Sequence, residues 1–192
     1  PYYLRQGVLD RVIQAQERLQ QLHPGWCIQI FDAYRPVEVQ QYMVDYTFRQ
    51  TVIDRQLDLA QLSDAQKQQI WEDVYKIWAI PSFDLETPPP HSTGAAIDLT
   101  LVDEHGSPID MGSPIDEMSD RSLPGYFDKS QDPIAQQYHH NRQLLDRVMT
   151  DAGLIRHPNE WWHFSIGDQL WAWLNNQIDP QHPLSAHYGR AI

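Results

Sequence analysis

Pro158-Asn159-Glu160-Trp161-Trp162-His163-Phe164 decides how this chain is read. A proline turn leads into a carboxylate, and a histidine follows three residues later. Residues three apart in a regular strand face opposite sides, so Glu160 and His163 reach one point only across a bend. Pro158 and Asn159 supply it, which puts Glu160 in the turn and His163 in a strand. Trp161 and Trp162 are expected as core and pocket wall. The upstream counterpart is His91-Ser92-Thr93-Gly94-Ala95-Ala96-Ile97-Asp98. From Ala96 to Val102, Ile97, Leu99 and Leu101 alternate with Asp98 and Thr100, a strand with Asp98 opposite its apolar face. The Gly94 turn can bring His91 back over that strand.

Working outward, Val8, Val12, Ala15, Leu19 and Leu22 recur at helical spacing, and His23-Pro24-Gly25 stops that helix. Trp26 to Phe31 reads as a strand, in which Cys27 is expected to be a buried small hydrophobe. Asp32-Ala33-Tyr34-Arg35-Pro36 leaves it, and Pro36 holds Arg35 at a strand-to-helix corner. A helix follows from Val37. Ser63 to Gln66 matches a capping box, with Ile70, Trp71, Val74, Ile77 and Trp78 as the stripe of the next helix. Pro81, Pro88, Pro89 and Pro90 make a stiff approach to His91. Residues 103–132 are a long loop rich in Gly, Ser, Pro and Asp. Pro133 opens another helix that stops at Gly153, and a short helix from Gly167 to Asn176 closes the order, followed by a surface tail. The expected fold is α+β: one domain over 1–192, with a small, mostly antiparallel sheet and helices packed on one side.

With 192 residues the chain can bury a core without staples. A net charge of −12 argues against nucleic acid or an anionic membrane surface as partner. It suits a substrate with a positive group, although solubility is the plainer reason for it. One cysteine excludes an internal disulfide and a thiolate zinc cluster. No apolar run is long enough for a membrane span. The chain opens on Pro1-Tyr2-Tyr3 and not on Met, so the expectation is an incomplete N-terminus. Cytoplasm and periplasm of a bacterium both stay open as compartments, and oligomeric state is not legible.

Catalytic zinc takes three protein ligands, an open position for water, and a nearby base. His91, Asp98 and His163 form such a set, leaving Glu160 as the general base and acid for a zinc-bound water that attacks a carbonyl carbon. Arg35 is the candidate for the developing oxyanion, because guanidinium stays ionised and offers directed donors. Plainer roles exist: a turn carboxylate for Asp98, a simple ion pair with Asp32 for Arg35. His23, His105, His139, His140, His157, His182 and His187 are read as surface or satisfied core residues.

His91-x6-Asp98 and Glu160-Trp161-Trp162-His163 resemble the zinc-dependent D-alanyl-D-alanine dipeptidases of the vancomycin-resistance (VanX) type. Phe31-Asp32-Ala33-Tyr34-Arg35-Pro36 and Asp110-Met111-Gly112-Ser113-Pro114-Ile115-Asp116 are similar to that family's other signature stretches, in the same order. The resemblance implies a small α+β fold shared with D,D-carboxypeptidases and hedgehog signalling domains. It implies one zinc ion on His91, Asp98 and His163, Glu160 as base and Arg35 as transition-state stabiliser. It also implies that Asp116 binds the substrate ammonium, with Glu117 as fallback, and that the partner is a small dipeptide. Pro89 departs from a serine usual in the family, which bears on substrate preference. A helical insert between Arg35 and His91 is expected to roof the site, favouring dipeptides. The alternatives are a D,D-carboxypeptidase or L,D-peptidase acting on peptidoglycan stems, and a non-catalytic zinc-binding domain.

Overall fold

In the computed structural model, which describes residues 2–191, strand β2 (Ala96–Val102) is central and the other strands are arranged around it. Pro1 and Ile192 lie outside the described residues. β1 (Cys27–Asp32) and β4 (His163–Ser165) pair with β2 on either side, and β3 (Ile155–Arg156) pairs with β4. The order is β1-β2-β4-β3, antiparallel throughout.

Alternation along β2 sends Ile97, Leu99 and Leu101 into the core, and Phe164 of β4 joins them. Helix α1 (Gln6–Leu22) covers them with Val12, Ala15 and Leu19, and helix α4 (Pro133–Asp151) with Leu145, Val148 and Met149. Burying a side chain of this kind contributes about 1.5–3 kcal/mol. Helices α2 (Val37–Asp54) and α3 (Asp64–Val74) build a separate cluster around Val44, Phe48, Ile70 and Trp78. Helix α5 (Gln169–Ile178) lies against β3.

Caps place the helices as their sequences require. Ser63 and Gln66 make the reciprocal capping box of α3. Asp132 accepts from the amides of Ile134 and Ala135, with Pro133 at the first helical position of α4.

Three details differ from the sequence reading. Cys27 is exposed: β1 is an edge strand whose Ile28 and Ile30 turn to the core while Cys27, Gln29 and Phe31 face outward. α3 ends at Val74, short of Ile77 and Trp78. The chain turns there so that the Trp78 indole donates to Thr47 Oγ1 of α2 at 3.0 Å. The apolar run Trp161 to Ile166 reads as strand, yet β4 begins only at His163, and the Trp161 amide donates instead to Ser122 O in the long loop at 3.1 Å.

That loop packs closely at Gly112, where φ is +80° and an added Cβ would sit 2.5 Å from Phe127 Cε2 and 2.6 Å from Tyr138 Cδ2. Gly112→Ala is expected to destabilise by roughly 2–4 kcal/mol, combining left-handed strain with overpacking. Chemical denaturation measures it, and an unchanged midpoint would contradict the packing described.

Candidate active site

Asp98 and His163 are opposite one another in the β2–β4 register. Directly opposed residues of an antiparallel pair share a face, so both side chains leave the sheet on the side away from α1 and α4. His91 stands on a short turn, Pro90–Thr93, that ends at Gly94 with φ +71°. Glycine takes this left-handed conformation without steric penalty, and it returns the chain into β2.

The three ligand side chains converge closely. His91 Nε2 is 3.1 Å from Asp98 Oδ2, His163 Nδ1 is 3.0 Å from Asp98 Oδ1, and the two ring nitrogens are 3.2 Å apart. Zinc bonds of about 2.0–2.1 Å in a tetrahedron give edges of roughly 3.3 Å. The nitrogen–nitrogen distance of 3.2 Å matches such an edge, and each imidazole nitrogen meets a different oxygen of the Asp98 carboxylate. His91 Nδ1 lies 2.6 Å from Ala33 O, so its N–H donates there and the Nε2 lone pair points inward. Asp98 Oδ1 is buried without a hydrogen bond among the described residues. A buried carboxylate oxygen beside two imidazole nitrogens is a donor set that a zinc cation satisfies, so the residues fit the metal expected from the sequence.

Burial opposes charge on His91, but the Asp98 carboxylate outweighs it and holds His91 above its ordinary range. Burial likewise opposes charge on Asp98, and His91 with His163 overcomes it to hold the carboxyl well below the usual range. A proton and a metal ion compete for His91, so zinc affinity is expected to fall as pH drops through and below the elevated His91 pKa. Chelator competition between roughly pH 6 and 8 checks this, and a flat profile would contradict it.

Glu160 lies outside the strand, after the Pro158-Asn159 turn, as the bend requires. Its carboxylate is buried, 3.8 Å from His163 Nδ1 and 3.9 Å from His157 Nδ1. Burial, then Asp98 and Asp116, push its pKa well above the carboxylate range, with Arg35 opposing. A group with raised proton affinity is suited to taking a proton and delivering it again.

Arg35 is brought in by an irregularity. The β1–β2 register shifts between Ile30 and Asp32, and Asp32 comes opposite Asp98. Such a bulge turns a side chain to the other face. Asp32 Oδ2 then accepts from Arg35 Nε at 2.8 Å and Nη2 at 2.6 Å, while Gln40 Oε1 accepts from Nη1 at 2.6 Å. The guanidinium packs over Trp78 at 5.3 Å and comes within 3.6 Å of Asp98 Oδ2. The plainer reading of Arg35 is thus half right: it does pair with Asp32, and that pairing aims it at the ligand cluster.

Asp116 lines the same cavity with φ +64°, and burial, then Asp98, raise its pKa to about 6. Glu117 turns instead toward Ser119 Oγ and Arg121. The cavity is about 150 Å³, well below the roughly 300–1,000 Å³ of pockets for drug-sized ligands. Trp78 and Ala79, just after α3, form part of its wall, as does Pro89.

Among the wall residues, sequence reading missed His157 and Gln40. His157 accepts the Asn159 amide on Nδ1 at 3.2 Å, and burial followed by the nearby His163 lowers its pKa to about 3, so it is neutral. Gln40 bridges Arg35 to Ala79 O. His157 shares a turn with Glu160, which was a usable signal; nothing local marks Gln40.

Residues 1–184 match the profile of a peptidase family described as D-ala-D-ala dipeptidase. A D-alanyl-D-alanine dipeptidase of Synechocystis sp. is 52% identical over 197 residues, covering 99% of this chain and 79% of that protein. The enzyme of the same name from Escherichia coli is 37% identical over 126 residues, 60% of this chain and 63% of that protein. Among solved structures, the vancomycin-resistance D,D-pentapeptidase VanY in complex with Zn(II) matches with a TM-score of 0.54 at 14% identity. That match covers 92% of this chain and 79% of the other, and it is a likeness of fold.

Proposed function

The chain belongs to the D-ala-D-ala dipeptidase family of peptidases, and on that premise we propose that it is a zinc-dependent dipeptidase releasing two D-alanines from D-alanyl-D-alanine. The observation that carries the proposal is the buried His91–Asp98–His163 triangle with Glu160 and Arg35 beside it. His91 Nε2, Asp98 and His163 Nδ1 hold the metal. When bound, zinc supplies Lewis acidity and lowers the pKa of water to about 7.

Glu160 takes the proton from the attacking water and returns it to the leaving amine. Burial brings the proton affinity of Glu160 up from the ordinary carboxylate range toward working pH, where one group serves as base and then as acid. Arg35, held by Asp32 and Gln40, presents fixed positive charge where the carbonyl oxygen becomes an oxyanion. Asp116 receives the substrate ammonium from the loop side. A zwitterionic dipeptide thus meets a carboxylate at one end and the guanidinium near its carbonyl.

The small cavity favours a free dipeptide. One observation favours a longer substrate: His157 and Asn159 also line two neighbouring hollows of about 450 and 370 Å³. Turnover of D-Ala-D-Ala, its D,L and L,L isomers and a stem pentapeptide by the zinc-loaded protein decides between them. The expected result is D-alanine release from the D,D-dipeptide well above the rest. Preferential cleavage of the pentapeptide would make it a D,D-carboxypeptidase instead, and no metal-dependent turnover of any of them would leave a binding domain.

A further inference from the structure

Arg142 of α4 is 1% exposed, and no carboxylate among the described residues forms a salt bridge with it. A buried cation without a counter-ion is expensive unless every donor is used. Here the guanidinium ties together the two ends of one loop segment. Its Nε donates to Met111 O at 2.7 Å, Nη1 to Leu123 O at 2.9 Å, and Nη2 to Arg121 O at 2.8 Å and Ser113 Oγ at 3.0 Å. Between those ends lies Asp116, in a left-handed conformation that a non-glycine residue keeps only when its surroundings enforce it.

The same guanidinium reaches toward the base. It lies 5.4 Å from the ring of Trp161, the residue after Glu160, and 4.8 Å from that of Phe127. Trp161 donates its indole N–H to Ser113 Oγ at 3.0 Å and its backbone amide to Ser122 O at 3.1 Å. Ser113 Oγ in turn donates to Arg121 O at 3.2 Å. Asp116 and Glu160, from chain segments far apart in sequence, therefore hang on one node of two side chains.

We propose that Arg142, acting through Ser113, is a positioning residue that sets Asp116, and with it the substrate ammonium, at the distance from Glu160 that the reaction needs. It lines neither the cavity nor the ligand cluster. The inference rests on the dipeptidase reading above and adds to it the device that fixes which end of the substrate faces which carboxylate.

The test compares D-Ala-D-Ala with N-acetyl-D-Ala-D-Ala, which lacks the ammonium, in the zinc-loaded wild type, Arg142→Lys and Ser113→Ala. The wild type is expected to favour the free amine strongly. Both variants are expected to keep one zinc and to lose roughly 10- to 100-fold in kcat/KM for the free amine, mostly through KM. The acetylated peptide hardly changes, so the preference narrows. Adding Asp116→Asn to either variant then costs little more. Ser113→Ala removes only the hydroxyl contacts and leaves the three carbonyl contacts of Arg142 in place, so it perturbs the fold less than Arg142→Lys. A preference equal to that of the wild type, with kcat lowered alike for both peptides, would reduce Arg142 to a structural role and overturn the proposal. Failure of the wild type to cleave D-Ala-D-Ala would overturn the dipeptidase reading itself, which the same assay reveals separately.

Discussion

Glu160→Gln is expected to lower kcat/KM on D-alanyl-D-alanine by roughly 10²–10⁴ while zinc stays bound. The substitution keeps the shape of the side chain and removes its ability to take a proton. Glu160 is not one of the three atoms in the ligand triangle, so metal content is unaffected. Nor does the fold suffer. Glutamine removes a buried group whose charged form is opposed by burial and by Asp98 and Asp116, so the melting temperature is expected to hold or rise. Zinc analysis, thermal melting and turnover on one preparation separate these effects. A variant that kept more than about a tenth of wild-type turnover would remove Glu160 from the proton transfer.

Arg35→Lys is expected to lower kcat by roughly 10²–10³ with a smaller change in KM. The oxyanion exists only beyond the ground state, so its stabiliser acts on kcat. Lysine keeps the charge but cannot reproduce the arrangement in which Asp32 takes two N–H groups and Gln40 a third. It is the better probe than alanine, which would leave Asp32 opposite Asp98 with no cation between them. Should KM rise while kcat stays intact, Arg35 would be a ground-state binder of the substrate.

Much of this was legible in the chain. Alternation from Ala96 to Val102 placed Asp98 away from the core, and the structure has it there. The three-residue gap between Glu160 and His163 demanded a bend, and the Pro158-Asn159 turn provides it. Local chemistry carries such information: a glycine, a proline, a period of two. What stayed hidden depends on register and on distant packing. The strand shift that turns Asp32 toward Arg35 exists only in the pairing of β1 with β2. Gln40 matters because Ala79 and Arg35 come to it from two different segments. Cys27 was placed wrongly because an apolar run does not say that its strand lies at a sheet edge with one face uncovered. Arg142 did leave a trace, as a charged residue on the helix face that carries Ala135, Leu145 and Met149. A cation on a buried stripe is a signal in its own right.

The His91–Asp98–His163 triangle with Glu160 beside it is tested most directly by metal removal. The protein is stripped with a chelator, assayed for D-alanine release from D-alanyl-D-alanine, and titrated with zinc while turnover and bound metal are followed together. The expected result is no turnover in the stripped protein and full recovery at one zinc per chain, with His163→Ala neither holding that zinc nor recovering. Turnover that survived complete removal of metal, or returned in His163→Ala without bound zinc, would contradict it.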